Sequence, residues 1–266
     1  MTVYLLFLLS LMCFAFWLSY SSFRVEELDE RLRLKLGVLA GASLAVILFF
    51  ASIGVFPKVE LILPINGFVA MIQSTLWYAF VFLFFACLMF WVEKRQRRAL
   101  LVMNVFFVFV FLFRIQHLFF EPSIYRSEAN ARDGLCSQTT SYSCGASSVA
   151  NYLSLHDIYV TEGEAASQGY LQPYGGMTLL QATWAVNEFL KRSSSKGELR
   201  MKVLNLESLK ASQKPFLTVV ILGNISHLVC VEKVADGQVY VKDSTRGDLT
   251  QSFEDFLASS RLVMAI

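Results

Sequence analysis

Histidine is scarce in this 266-residue chain, with only His117, His156 and His227. These and the five cysteines never fall at metal-ligand spacing, so no metal site is expected. No G-x-x-x-x-G-K-[ST] run occurs, which excludes a P-loop and ATP-driven work. No other cofactor signature is present. Lys+Arg number 23 and Asp+Glu 21, and neither half of the chain has a basic face long enough to hold a nucleic acid. The first apolar run has no basic segment before it and no small-x-small site after it. It therefore reads as a retained span, not a removed signal peptide.

The chain is 55% hydrophobic and contains 24 Phe, an apolar share above that of an ordinary soluble domain. The excess lies in residues 1–120. Four runs there, Val3–Tyr20, Leu36–Phe56, Phe68–Val92 and Leu100–Phe119, have the length of transmembrane helices. Arg24, Arg31, Arg33 and Lys35 follow the first run, and Lys94, Arg95, Arg97 and Arg98 follow the third. Between the second and third there is only Lys58. Basic loops stay cytoplasmic, so the N-terminus and everything after the fourth run are expected outside. Arg114 and His117 lie near the outer end of that run, where a polar tip can reach water. Cys13 and Cys87 sit among Phe and Leu as packing residues.

Residues 121–132 read as a linker, and 133–266 as a globular domain. Helical signals come first: Cys144 to about Leu155, a capping box at Thr161-Glu162-Gly163-Glu164, and Met177–Lys191. A Pro/Gly loop, Gln172–Gly176, precedes the last of these. Strand signals follow at Met201–Leu204, Phe216–Leu222, Ile225–Val234 and Val239–Lys242. A short helix, Phe253–Leu257, and a closing strand, Leu262–Ile266, end the series. Helices first and strands later make an α+β fold.

Four residues in this domain fit the roles of cysteine catalysis. Cys144 opens a helix, where the dipole favours thiolate. Gln138, six residues upstream, could donate to an oxyanion. His227 lies on a strand, placed as the base, and Asp243 ends the next strand, placed to orient it. The plainer alternative for Cys144 is a buried packing cysteine. Cys136 is expected to be free or only reversibly paired, since a bond to Cys144 would block the nucleophile. Cys230 lies an odd number of residues from His227 and should face away from it.

Counting along the hairpin tests the assignment. A regular two-residue turn at Asp236-Gly237 would put Asp243 opposite Cys230, on the wrong face for His227. A three-residue loop, Ala235–Gly237, or one bulge, would put Asp243 opposite Val229 and on the face of His227. One of these two devices is therefore expected, and the three-residue loop is the simpler.

From about Arg132 to Ile266 the sequence resembles the papain-like cysteine peptidases that process double-glycine leader peptides of bacteriocins. The resemblance rests on Gln138, Cys144-Gly145, Pro173-Tyr-Gly-Gly176, Pro215, His227 and Asp243-Ser-Thr-Arg-Gly247. It departs at Ser143, where Asp is common, and at Ser244, where Pro is common. It implies a papain-like α+β domain, which here follows the four transmembrane helices expected from the apolar runs. It further implies a thiol protease acting on a peptide or protein substrate, with Gln138, Cys144, His227 and Asp243 as catalytic residues. The expected setting is the bilayer of a bacterial inner membrane, with the peptidase outside and a membrane-protein partner open. A transpeptidase using the same residues, or a non-catalytic binding module, are the alternatives.

Overall fold

The structure is a computed structural model that describes residues 2–24, 29–55, 61–72, 76–116, 122–193, 197–203, 209 and 213–265. His117 lies outside the described residues, and the side chain of Arg114 is not described. The chain forms two compact units. One comprises Met1–Phe56 and Ile72–Phe119, the other Pro57–Met71 and Phe120–Ile266.

The first unit is helical: α1 (Thr2–Ser22), α2 (Glu30–Val55), α4 (Leu76–Leu88) and α5 (Lys94–Ile115). The most apolar of them, α4, buries Phe82, Leu83 and Ala86. It meets α5 through Phe82–Phe111 and Phe85–Phe107 ring contacts at 5.9 and 5.6 Å. The Arg97 guanidinium donates to the Ser22 and Val92 carbonyls. That ties the start of α5 to the end of α1, so both basic loops lie at one end of the bundle. Phe16, Phe106 and Phe109 point outward and are exposed.

Among the described residues, two helices, Glu30–Phe49 and Arg95–Phe113, are long and apolar enough to cross a membrane. Of the run Phe68–Val92 the structure describes α3 (Gly67–Ile72) and α4, which ends at Leu88, and residues 73–75 lie outside the described residues. The first part of the run packs on protein. The Asn66 side chain accepts from the Val69 N–H to start α3, and Ala70 and Met71 are buried in the globular unit.

That unit carries a six-stranded antiparallel sheet in the order β1-β6-β2-β3-β4-β5. The strands are β1 (Met201–Val203), β2 (Phe216–Leu222), β3 (Ile225–Ala235), β4 (Gln238–Asp243), β5 (Gly247–Ser252) and β6 (Ser260–Ala265). Three helices, α6 (Cys144–Ser154), α7 (Glu162–Gln168) and α8 (Leu179–Arg192), cover one face. Their core joins Val149, Leu153, Ala182 and Val186 to Leu217, Leu228 and Cys230. Helix α9 (Phe253–Ser259) covers the other, packing Phe253 and Phe256 on Phe216, Val229, Val231 and Val241. Leu228/Cys230 and Val229/Val231 thus alternate between the two cores, as period-two strands require. Capping boxes open α7 (Thr161, Glu164) and α8 (Thr178, Gln181). Strand β5 carries no apolar run and was not legible as a strand.

The α3 segment is part of this unit. Gln181 Nε2 donates to the Ala70 carbonyl at 3.0 Å. Gly67 lies so close to Trp184 that a Cβ would meet its ring at 2.7 Å.

Candidate active site

Cys144, the candidate nucleophile, is the first residue of α6. Gly145 follows because a Cβ there would lie 2.6 Å from Met177 Cβ, so α6 could not approach the loop before α8. Polar residues on α6 then fix its surroundings. Ser148 Oγ donates to the Leu228 carbonyl at 2.8 Å, which ties the helix to β3 beside His227. Asn151 brackets Cys136, accepting from its N–H at 2.6 Å and donating to its carbonyl at 3.1 Å.

The hairpin that carries the other two residues differs from the simpler expectation. Ala235 pairs with Gln238, so the turn has two residues, with Asp236 at φ 53° and Gly237 at φ 73°. Positive φ at both positions matches the right-handed strand twist, and Gly takes it without strain. The parity is corrected one step later. The register shifts between Val231 and Lys233, leaving Glu232 as a bulge, and Cys230 pairs with Lys242. Asp243 therefore falls opposite Val229, and His227 Nε2 lies 2.9 Å from Asp243 Oδ1.

The His227 ring also hydrogen-bonds the Cys144 thiol. With Nε2 turned to the carboxylate, Nδ1 is the nitrogen left for sulfur. Burial pushes the thiol up, but the His227 hydrogen bond and charge, with the Leu228 and Gly145 backbone, hold it below its ordinary value. Burial opposes the imidazolium too. Asp243 and Cys144 outweigh that and raise His227 to about 9. The Asp243 carboxyl is desolvated, yet it stays well below the carboxylate range because His227, the Thr245 N–H and Arg246 hold its anion. Thr245 N, Arg246 N and Arg246 Nε lie 2.8, 3.1 and 2.7 Å from its oxygens. The turn after β4 wraps the carboxylate.

The same turn holds Gln138. The Gln138 N–H donates to the Ser244 carbonyl at 3.1 Å, and Gln138 Oε1 accepts from Ser244 Oγ and Thr245 Oγ1, each at 3.1 Å. All four residues singled out in the sequence therefore share one neighbourhood. His156, in contrast, packs its ring at a tilt against Tyr152, 5.0 Å away, and takes no part in these bonds.

Sequence reasoning missed Glu162. It is fully buried and accepts from Ser127 Oγ (2.7 Å), Thr139 N (3.0 Å), Thr139 Oγ1 (2.5 Å) and Ser147 Oγ (2.8 Å). It links the loop after Gln138 to the nucleophile helix. In the sequence it looked like an ordinary first-turn acid beside a capping box. Also missed was the Tyr142–Tyr174 ring pair, 5.4 Å apart, which joins the segment before Cys144 to the Gln172–Gly176 loop.

All five cysteines are free. Burial, with Glu162 nearby, pushes the Cys136 thiol up to about 12 even though Ser147 bonds it. Burial raises Cys230 as well. Cys144, in contrast to these two, is lowered. Among the described residues, no group of three or more His, Cys, Asp or Glu could hold a metal ion.

No family model and no curated protein matches the chain. Among solved structures it is similar to the peptidase domain of Streptococcus ComA, a bi-functional ABC transporter involved in quorum sensing. The identity is 18%, covering 50% of this chain and 95% of that one, with a TM-score of 0.43. It is also similar to a double glycine motif protease from an AMS/PCAT transporter, solved in complex with the leader peptide. There the identity is 21%, covering 50% and 88%, with a TM-score of 0.42.

Proposed function

We propose that the globular unit is a cysteine peptidase. The observation that carries this is the Cys144–His227–Asp243 row, in which the thiol is lowered and the imidazole raised. Both shifts favour a thiolate–imidazolium pair. In the proposed reaction the thiolate attacks a peptide carbonyl. Gln138 and the Cys144 N–H receive the oxyanion. His227 protonates the leaving amine, and water then resolves the thioester. Asp243 keeps the ring oriented and its cation stable.

The helical unit is proposed to anchor this peptidase through four spans, with the active site outside the cytoplasm. Two features support that topology. Pro57–Met71 belongs to the same compact unit as Phe120–Ile266, so both lie on one side of any membrane and residues 72–119 cross it an even number of times. The basic clusters that follow the first and third apolar runs, Arg24–Lys35 and Lys94–Arg98, are the loops charge assigns to the cytoplasm. Substrates anchored in the membrane or emerging from it are then the ones within reach. A peptide with a double-glycine site is the first to test.

The test is labelling of intact spheroplasts with a membrane-impermeant, thiol-directed peptidase inhibitor. Labelling that Cys144→Ala removes supports both chemistry and sidedness. Labelling only after lysis would overturn the topology, and labelling unaffected by Cys144→Ala would overturn the site.

A further inference from the structure

We propose that Ser244 and Thr245 are positioning residues that aim the Gln138 amide at the oxyanion, an assignment that rests on the peptidase reading above. A glutamine side chain can turn either end toward a reacting carbonyl, and only its NH2 end stabilises negative charge. Here the choice is made by two hydroxyls. Ser244 Oγ and Thr245 Oγ1 both donate to Oε1 at 3.1 Å and occupy its two acceptor sites. Nε2 is left as the outward end. The backbone adds a third tie, from the Gln138 N–H to the Ser244 carbonyl. From the other side, Glu162 fixes Thr139, the next residue, to the helix that begins with Cys144.

The arrangement makes one short turn serve two ends of the reaction. Its backbone N–H groups and Arg246 hold the Asp243 carboxylate. Its hydroxyls hold the oxyanion donor. Ser244 is 3% exposed, so water does not readily replace its hydroxyl, whereas Thr245 is exposed and replaceable in part. Ser244 therefore carries more of the effect.

Two reagents acting on Cys144 of the full chain in detergent separate positioning from general damage. With iodoacetamide the C–S bond forms as C–I breaks and iodide leaves, and no charge gathers on a carbonyl oxygen. With p-nitrophenyl acetate the C–S bond forms while the carbonyl π pair moves onto oxygen. Collapse then breaks the ester C–O bond and releases p-nitrophenolate. Removing one oxyanion donor outright costs roughly 100- to 1000-fold, so misorienting it should cost about tenfold. The expected result for Ser244→Ala/Thr245→Val is acylation slowed about tenfold with alkylation unchanged. Gln138→Ala should slow acylation at least as much, and adding the pair to it should cause no further loss. Thr245→Val alone, at an exposed site, should show a smaller loss with no change in Tm. Equal slowing with both reagents, unchanged acylation in the double variant or in Gln138→Ala, or additive loss on top of Gln138→Ala would overturn the proposal. If Cys144 of the unaltered chain is alkylated no faster than a free thiol, the peptidase reading fails instead.

Discussion

The surroundings of Cys144 and His227 set the pH range in which the proposed reactive pair can act. Its lower limit is the lowered pKa of Cys144 and its upper limit about 9, where His227 gives up its proton. Alkylation of Cys144 should therefore persist below the pH at which an ordinary thiol is protonated, and turnover should fall as pH passes about 9. Asp243→Asn removes the main support of the imidazolium. It should move the upper limb downward and slow turnover by at least about tenfold, which a pH–rate profile would show. Stability follows the same groups. His227 is raised on folding, so its contribution is full below about 6.5 and is lost as pH rises through about 9. Asp243 is lowered, so its contribution is present above the ordinary carboxylate pKa and lost as pH falls through its folded value. Glu162→Ala would leave the buried Ser147 hydroxyl and the partly buried donors of Ser127 and Thr139 without this acceptor. A loss of about 3 kcal/mol or more in urea unfolding is expected. That Gln138, Cys144, His227 and Asp243 would share one neighbourhood was legible from their residue types and order. Glu162 was not, because nothing in a first-turn acid shows that three neutral side chains from distant segments converge on it.

At the scale of the element, the β3–β4 hairpin shows how a turn and a bulge share one task. The two-residue turn follows from Asp236-Gly237, and Glu232 restores the parity that this turn would break. Deleting Glu232 leaves the same cross-strand partners in a regular ladder, with Asp243 still opposite Val229. Cys144 alkylation should stay within about threefold of the unaltered chain. Deleting Tyr240 instead would carry Asp243 two residues along β3 or onto the other face. The effect should resemble Asp243→Asn, measured by the same alkylation profile. The parity requirement could be counted from the sequence, because side-chain direction alternates strictly. The choice between a longer loop and a bulge could not, because both satisfy the count and the decision belongs to strand twist. Helices α6, α7 and α8 were legible for a different reason: capping residues and apolar spacing coincide there. In the run at Phe68, composition alone does not tell lipid-facing apolar residues from protein-facing ones. Ala70 and Met71 are buried in the globular unit.

The whole molecule is built from interleaved stretches of chain, since Pro57–Met71 joins Phe120–Ile266 while the residues between belong to the helical unit. A large side chain at residue 67 should disturb the globular unit. Gly67→Val would drive a Cβ to 2.7 Å from Trp184, and a destabilisation of about 2 kcal/mol is expected in unfolding of the full chain. A reporter active only in the cytoplasm, fused after Ile266, should be silent, and an active fusion would reverse the topology. The interleaving also bears on how the protein is made. The ribosome delivers the segment that α8 must receive before it delivers α4 and α5, and delivers α8 itself only afterwards. The segment therefore waits without its partner until the residues after 120 have been made, so the globular unit closes late and over a long span of chain.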